Sequence, residues 1–413
     1  MGTSTLDNSS AAGARECRLE VAEQKNHIMS RYGVAFALIF LWLASMVRPV
    51  AALPSPRLIG TSCAANFSSA PNTTSDGNEL LGVSATSRAD AWAVGYHLQV
   101  RTDDSWPLTE HYDGTSWSIV ISPQPDFSQL SSVREITPTD VWAVGSVLNR
   151  NGISQTLTMH WDGTTWTIVA SPDVGSNSNQ LNALAANSTS DIWAFGSYFD
   201  TTANAYLTLA LHWDGASWSV VSSPDVTGSN NQLLGAGSLG STDVWAVGVS
   251  QGSSSPKALA EVWNGSALSI VPTPNIGYSI FRSIVPIAQN NTWAFGYYYS
   301  GPYFAPLAEV WNGSAFSVSP TPTVAGQNTV INGAAAISAT DVWAVGNTFL
   351  PDRTFTMNWN GSVWTVVASP NRGTTGDDLD AVARIPGSSL AWAVGRYFTR
   401  TARTSVLVLK LHC

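Results

Sequence analysis

The chain repeats one short motif seven times at a nearly constant interval. The four residues Trp-Ala-Val-Gly or Trp-Ala-Phe-Gly recur with spacings of 48 to 52 residues, beginning at Trp92, Trp142, Trp193, Trp245, Trp293, Trp343 and Trp392. Such a period is typical of architectures in which each repeat buries its apolar face only by stacking on its neighbours. We therefore expect one closed array of seven units, although 413 residues exceed an ordinary single domain.

A second motif follows the first in six repeats and marks a tight turn. It reads His-Tyr-Asp-Gly or His-Trp-Asp-Gly in three repeats and Trp-Asn-Gly in the next three, ending at Gly114, Gly163, Gly215, Gly265, Gly313 and Gly361. Asp-Gly and Asn-Gly pairs accept the positive φ angles of tight hairpins. Because four short β-prone runs occur in each period, the pair is predicted to join the third strand of a four-stranded blade to the fourth.

Seven such blades predict an all-β fold, a seven-bladed β-propeller over residues 53–413. The seventh repeat ends at Cys413 without a fourth strand, while residues are left over before Leu80. We expect a segment within residues 54–71 to complete the last blade beside residues 405–412, which would close the ring. Cys63 and Cys413 would then lie on neighbouring strands and form a disulfide.

Residues 1–52 are predicted to be an N-terminal extension with a signal peptide. The apolar run at residues 33–47 follows Arg31 and precedes small residues that end at Ala52, a suitable cleavage site. Its 15 residues fall short of the roughly 18 that mark a membrane span. The protein is therefore expected to be secreted or displayed at the cell surface. An uncleaved membrane anchor is the alternative for this segment, and Met29 is an alternative start.

Composition argues against a polyanionic partner. The formal net charge is -9 and only 11% of the residues are charged, so the chain lacks the basic footprint of proteins that bind nucleic acid. We expect no cofactor and no metal, and we expect a monomer. Four histidines at one phase of the third strand are interpreted as structural, since adjacent blades separate equivalent positions far beyond metal-ligand distances: His111, His160, His212 and His412.

The aspartates that precede the first motif are also interpreted as structural. Five of them lie two residues before the motif tryptophan, where a short acceptor side chain can cap a turn: Asp90, Asp140, Asp191, Asp243 and Asp341.

The motifs resemble those of a group of uncharacterised exported bacterial proteins with Trp-rich propeller repeats. The phrase Ser-Thr-Asp-Val-Trp-Ala-Val-Gly, which ends at Gly248, and the His-Trp-Asp-Gly motif carry this resemblance over about residues 80–413. It implies a propeller and little about activity. The chain is more loosely similar to WD-repeat propellers, through Trp161-Asp162, and to Asp-box propellers. In an Asp box one residue separates Asp from Gly, whereas Asp113 and Gly114 are adjacent.

The sequence favours a non-catalytic extracellular binding or scaffolding module. Sixteen of the 18 tryptophans fall at a repeat phase, which indicates packing, and no nucleophile elbow is present. The alternative is an exported glycoside hydrolase or sialidase-like enzyme, which would need two carboxylates, or a tyrosine and a carboxylate, at the central pocket. Arg134, Arg282 and Arg384 lie at different phases of the repeat, so they are not expected to converge there. A purely structural envelope protein is a third hypothesis.

A ligand, either glycan or protein, is expected on the face that carries the longer connections. Blade 5 has an excess of aromatic residues after Trp293, and we predict ligand contacts from Tyr298, Tyr303 and Phe304, with Tyr278 adjacent. The neighbouring Tyr297 and Tyr299 alternate along the chain, which fits strand packing equally well.

Overall fold

The computed structural model describes residues 63–413, apart from residues 100, 101, 103, 254, 275, 374, 375 and 402. The predicted signal segment, residues 1–52, lies outside the described residues. The described part forms 28 strands in seven four-stranded antiparallel sheets, which confirms the predicted seven-bladed β-propeller. Within this part of the chain, no helix has the length and hydropathy needed to cross a membrane.

Each blade runs outward from the propeller axis, and the first strand of each blade contacts the first strands of its two neighbours around the ring. The first strands of blades 1 to 7 are β2 (Gly77–Ser87), β6 (Ser128–Thr137), β10 (Asn179–Ser188), β14 (Asn230–Gly240), β18 (Ser279–Ala288), β22 (Asn328–Ser338) and β26 (Asp377–Ile385). The second strands, which carry the tryptophan motif, are β3 (Asp90–Gln99), β7 (Asp140–Leu148), β11 (Asp191–Asp200), β15 (Asp243–Gln251), β19 (Asn291–Ser300), β23 (Asp341–Phe349) and β27 (Leu390–Phe398).

The outer half of each blade is a third strand followed by a much shorter fourth strand. The third strands are β4 (Asp104–Tyr112), β8 (Ser154–Trp161), β12 (Ala205–Trp213), β16 (Lys257–Trp263), β20 (Tyr303–Trp311), β24 (Arg353–Trp359) and β28 (Thr404–His412). The fourth strands of blades 1 to 6 are β5 (Trp117–Ile119), β9 (Trp166–Val169), β13 (Trp218–Val221), β17 (Leu268–Ile270), β21 (Phe316–Val318) and β25 (Trp364–Val367).

The N-terminal strand β1 (Ala64–Ser68) completes blade 7, as the sequence predicts. It pairs antiparallel with β28, with Ala64 opposite His412 and Ser68 opposite Val408. Cys63 and Cys413 form the predicted disulfide, which joins residues 350 apart in sequence. The ring is therefore closed both by strand pairing and by a covalent bond.

The Asp-Gly and Asn-Gly pairs form the predicted hairpin turns between third and fourth strands. In blade 2, Gly163 has a φ of 95°, and the Asp162 carboxylate accepts hydrogen bonds from the backbone N–H groups of Thr164 and Thr165, both at 2.8 Å. These turns and the turns between first and second strands define the short-turn face. Since the strands are antiparallel, the second-to-third connections and the connections between blades lie at the opposite end, the long-loop face.

The motif tryptophans fill the wedges between blades. The ring centroid of Trp92 lies 4.6 Å from that of His111 in its own blade, 4.9 Å from Trp161 and 5.2 Å from Trp166, both in the next blade. Equivalent contacts recur around the ring, where Trp142 packs on Trp213 and Trp218. Packing therefore accounts for the regular spacing of tryptophan in the chain.

The glycine of the first motif is required by a bulge in the first strand. In every blade one residue of the first strand is left out of the pairing with the second strand, at Leu81, Ser131, Asn182, Leu234, Arg282, Asn332 and Asp380. Beside this bulge the strands approach closely, and a Cβ placed on Gly145 would overlap the carbonyl oxygen of Gln129. The fourth residue of the motif is therefore a steric requirement of the bulge.

Candidate functional site

The inner wall departs from sevenfold regularity in one sector at the long-loop face. The residue two positions before the bulge residue of the first strand is charged only in blades 1 and 7, as Glu79 and Asp378. The bulge residue itself is charged only in blades 5 and 7, as Arg282 and Asp380. Gln, Asn, Ser, Leu, Val or Ile fills these registers elsewhere. Because neutral residues satisfy the fold at the same registers, the charges are not demanded by packing, and this sector is the candidate site.

Five residues of this sector form the mouth cluster: Glu79, Arg282, Asp378, Asp380 and Arg396. Arg396 on β27 joins two blades, since its Nη1 donates to Glu79 Oε2 at 2.7 Å and its Nε donates to Asp378 Oδ2 at 3.1 Å. The hydroxyl of Tyr96 also donates to Glu79 Oε2, at 2.6 Å. Burial, followed by the charge of Glu79, raises the pKa of Tyr96, so its hydroxyl stays protonated.

Asp380 is the least compensated acid of the cluster. Its Oδ2 is buried and has no hydrogen-bond partner among the described residues. Burial, reinforced by the charge of Glu79, raises its pKa well above the ordinary value. Asp380 therefore holds a proton under conditions in which an exposed aspartate would be ionised.

The residues predicted to bind ligand lie in a hairpin and not in a loop. Strand β19 continues to Ser300 and β20 begins at Tyr303, so the turn between them is very short. The reason is that the aromatic side chains extend the strand pairing, with Tyr299 opposite Phe304.

Four aromatic residues of this hairpin and the preceding connection form the aromatic patch: Tyr278, Tyr297, Tyr299 and Phe304. The ring centroid of Phe304 lies 5.4 Å from Tyr278, 5.3 Å from Tyr297 and 5.7 Å from Tyr299. Tyr299 is 43% exposed and Tyr303 is 41% exposed, whereas Tyr297 is buried. The structure thus brings two of the four predicted residues, Tyr278 and Phe304, into contact on one surface.

The other two predicted residues, Tyr298 and Tyr303, lie on the other side of the hairpin, because each is adjacent in its strand to a patch residue. Tyr303 is exposed near the turn, whereas Tyr298 lies farther along β19. Tyr298 is half-buried against the core between blades 4 and 5. Tyr198 and Tyr397 occupy the same register in blades 3 and 7 and also pack against cores between blades. Tyr298 therefore belongs to the repeat, and Tyr299 is the exposed aromatic residue of the patch.

The histidines of blades 1 to 3 bind the aspartates that precede the motif tryptophan. The Nε2 atoms of His111, His160 and His212 donate to the carboxylates of Asp90, Asp140 and Asp191, at 2.7, 2.8 and 2.9 Å respectively. The histidines thus have structural partners within their own blades. No three His, Cys, Asp or Glu side chains come together as a metal site in the part of the chain that the structure describes.

These bonds correct the expected role of the aspartates. In blade 1 the turn between first and second strands is capped by Ser87, whose Oγ accepts from the backbone N–H of Ala89 at 3.1 Å. Ser188 does the same for Ser190 in blade 3. The Asp carboxylate is directed instead across to the third strand, where an imidazole N–H offers a stronger, charge-assisted partner.

The sequence analysis missed three glutamates that are wholly buried in the third strands. Glu110, Glu261 and Glu309 occupy the register that Met or Leu fills in the other blades. Both carboxyl oxygens of Glu110 and Glu309 have no partner among the described residues, while Ser223 Oγ donates to Glu261 at 2.6 Å. Burial raises the pKa of each to about 8. The sequence did contain a signal for these buried acids, because an acidic residue stands at a repeat position that is otherwise apolar.

The three arginines of the first strands occupy different registers, as expected from their phases. Arg134 donates from Nε to the carbonyl oxygen of Leu184 at 3.0 Å and from Nη2 to that of Ala236 at 3.4 Å, so it links three blades. Arg282 lies at the bulge of blade 5. Arg384 is exposed near the short-turn face.

The fold and the sector at its long-loop face define a closed seven-bladed β-propeller with one asymmetric face. Among solved structures, the chain is similar to YCF48 bound to D1 peptide, with a TM-score of 0.53 and 11% identity over 88% of this chain and 99% of that chain. It is also similar to YCF48 from Cyanidioschyzon merolae, with a TM-score of 0.52 and 12% identity over 84% and 98% of the two chains. At these identities the likeness shows the fold alone.

Comparisons at the level of sequence give no relative. No protein-family model matches the chain, and no curated protein matches it.

Proposed function

We propose that the protein is an exported, non-catalytic binding module that holds a peptide or protein ligand at its long-loop face. The observation that carries this proposal is the contact between the mouth cluster and the aromatic patch, since Arg282 lies over the ring of Tyr297, which packs on Phe304. A rigid ring that presents an irregular surface suits recognition, because the scaffold fixes the contact residues without needing to order them on binding.

The chemistry of the patch supports a polypeptide ligand. The exposed Tyr299 combines an apolar ring with a hydroxyl and loses little conformational entropy on binding. A propeller of similar fold has been solved bound to a D1 peptide, so there is a precedent for peptide binding by this architecture. The disulfide between Cys63 and Cys413 supports export, because disulfides persist mainly in oxidising compartments.

Selection of short random peptides displayed on phage against the purified chain tests this function. We expect a set of related peptides to be enriched, and the variant Tyr299→Ala to bind them about tenfold more weakly in fluorescence polarisation. The matched control is Phe199→Ala, which removes the equivalent aromatic residue of blade 3 and should leave affinity unchanged. Failure to enrich any peptide, together with binding on a glycan array, would replace the peptide ligand by a glycan.

A second candidate, an exported glycoside hydrolase, is favoured by the hydrogen bond between Tyr96 and Glu79 beside two further carboxyl groups. The raised pKa of Tyr96 opposes it, since burial and Glu79 keep the proton on a hydroxyl that would have to attack as phenolate. Assays against mixed glycosides and sialosides distinguish the two functions. Turnover that is lost in both Glu79→Gln and Asp380→Asn would replace the binding proposal by catalysis.

A further inference from the structure

Three consecutive blades carry the same modification motif in one turn. The hairpins between the third and fourth strands of blades 4, 5 and 6 read Asn-Gly-Ser, which is an acceptor motif for N-linked glycosylation, at residues 264–266, 312–314 and 360–362. The equivalent turns of blades 1 to 3 begin with aspartate and therefore have no acceptor amide: Asp113, Asp162 and Asp214.

The hairpin itself requires neither the amide nor the serine. In blade 2 the carboxylate of Asp162 accepts the two backbone hydrogen bonds of the turn as well as an amide does. In blade 3 the third position of the turn is Ala216, which has no hydroxyl. All three turns that begin with asparagine nevertheless carry the hydroxyl that the motif needs, so turn geometry alone does not explain the combination.

The amide nitrogens of these three turns are exposed and unbonded. Asn264 Oδ1 accepts from the backbone N–H groups of Ser266 and Ala267 at 2.9 and 3.1 Å, and from the Ser266 hydroxyl at 2.7 Å. Asn312 makes the same three bonds in blade 5, and Asn360 makes the two backbone bonds in blade 6. In each case the oxygen is held by the turn, while Nδ2 makes no hydrogen bond to any described residue and the side chain is exposed.

Two of the other copies of the motif do not have this geometry. Asn187 donates from Nδ2 to Asp191 Oδ2 at 3.1 Å, within blade 3. The copy that begins at Asn290 has its hydroxyl on Thr292, which is completely buried. Sugar transfer at either position would require the amide or the hydroxyl to leave its place in the fold, so both positions serve as internal controls.

We propose that Asn264, Asn312 and Asn360 are N-glycosylation sites, so that blades 4 to 6 carry three glycans on the short-turn face. The proposal rests on the proposed function in one respect, because this motif is modified in exported proteins. The donor is a lipid-linked oligosaccharyl pyrophosphate. The bond between its anomeric carbon and the pyrophosphate oxygen breaks, a bond from that carbon to Nδ2 forms, and one proton leaves Nδ2 for the departing pyrophosphate.

Glycans at these turns would leave the proposed peptide site uncovered. The short-turn face and the long-loop face lie at opposite ends of the antiparallel strands. The affinity for a selected peptide should therefore be the same for the glycosylated and the unmodified protein.

Sugar transfer to the purified, folded, full-length protein tests the proposal. The protein is incubated with a single-subunit oligosaccharyltransferase and its lipid-linked donor, and the modified peptides are located by mass spectrometry. We expect sugar on the three proposed amides and none on Asn187 or Asn290. Ser266→Ala should lose the glycan of blade 4 alone, and it should still fold because Ala216 occupies this position in blade 3.

A matched pair of variants tests whether the turn becomes an acceptor once the motif is complete. Asp162→Asn completes the motif in blade 2, where Thr164 supplies the hydroxyl, and should gain a glycan. Asp214→Asn does not complete it in blade 3, since Ala216 has no hydroxyl, and should gain none. Equal modification of the two variants would show that the motif does not direct the transfer, and would overturn the inference.

A short unstructured peptide that contains Asn-Gly-Ser is added to the same reaction as a reference acceptor. Modification of this peptide without modification of the three turns would overturn the inference, as would equal modification of Asn187 and the three turns. Peptide selection on the unmodified protein is a separate measurement. If it enriches no peptide, the proposed function fails while the acceptor sites stand, and if the turns stay unmodified, peptide binding is unaffected.

Discussion

At the scale of single residues, the motif glycine is explained by the backbone of the neighbouring strand. The bulge in the first strand brings a carbonyl group against the position where a Cβ of Gly145 would lie. The seven motif glycines share this environment, so a steric requirement explains the glycine of the motif without any role in binding.

Gly145→Ala is therefore expected to lower the free energy of unfolding by about 2 kcal/mol or more, because the backbone of one strand must move. Gly240→Ala is the control, since a Cβ there meets nothing within 4 Å. It should change stability by less than about 0.5 kcal/mol. Denaturant unfolding of both variants checks this, and equal losses would show that the bulge does not impose the glycine.

The buried glutamates predict a pH dependence of stability. The pKa of Glu309 is raised from 4.5 to about 8, so the folded protein retains a proton that the unfolded chain releases between these values. Its contribution is fully present below about pH 4.5 and is lost as the pH rises toward 8. Glu110 and Glu261 act in the same direction. The protein should therefore be more stable at pH 5 than at pH 8.5.

Glu309→Met, which installs the residue found at this register in blades 2 and 6, should remove part of that dependence and raise stability at alkaline pH. The measurement is the free energy of unfolding at the two pH values. Asp162→Asn is the control, because hydrogen bonds from Thr164 and Thr165 hold the pKa of Asp162 at about 2, outside the interval. An unchanged pH profile in Glu309→Met would contradict the assignment.

At the scale of elements, the blades protect the edges of their third strands by three chemical solutions. Each fourth strand ends early, which leaves one N–H of the third strand without a strand partner. An Asp or Asn side chain from the following connection accepts it in blades 2, 3, 6 and 7; for example, Asp225 accepts from Thr208 at 2.9 Å and Asn72 accepts from Val406 at 2.9 Å. In blades 1 and 5 the residue is proline, Pro107 or Pro306, which has no N–H. In blade 4 the Oγ of Ser279 accepts from the N–H of Ala258 at 3.1 Å.

Asp225→Ala should thus cost about 1 to 3 kcal/mol of unfolding free energy, because the N–H of the buried Thr208 loses its acceptor. Asp225→Asn keeps an acceptor oxygen and should cost much less. Thr323→Ala, in the corresponding connection of blade 5, should have almost no effect since Pro306 needs no acceptor. If Asp225→Asn is as damaging as Asp225→Ala, the hydrogen bond is not what stabilises this edge.

At the scale of the whole molecule, closure of the ring couples the two ends of the described chain. Strand β1 brings its own edge cap, Asn72, to blade 7, and Cys63 is bonded to Cys413 beside it. Opening this blade would expose the cores that blade 7 shares with blades 6 and 1. Closure is therefore a condition for the stability of every blade.

The double variant Cys63→Ser/Cys413→Ser should lose about 2 to 5 kcal/mol of stability, since the bond closes a very long loop in the unfolded chain. Addition of a reductant should lower the melting temperature of the unmodified protein and leave that of the double variant unchanged. Peptide mapping without reductant should recover the linked peptides from exported material. Two free thiols in that material would contradict the predicted bond.

The sequence by itself determined the number of blades, the order of strands, the hairpin turns and the closure of the ring. Each depends on a local rule that repeats about every 50 residues, so periodic spacing makes it visible. The Pro-Asp and Pro-Asn pairs after the fourth strands were a further signal, which marks the side chains that accept the free N–H groups of the third strands. Pro71-Asn72 repeats this pair after β1.

Only the tertiary structure decided which of the residues outside the repeat pattern come into contact. Tyr298 and Tyr299 are neighbours in sequence, yet the alternation of the strand places one against a core and the other in solvent. Glu79 and Arg396 are 317 residues apart and become partners only because the ring closes. The composition of the mouth cluster depends on such long-range pairings, which no local pattern encodes.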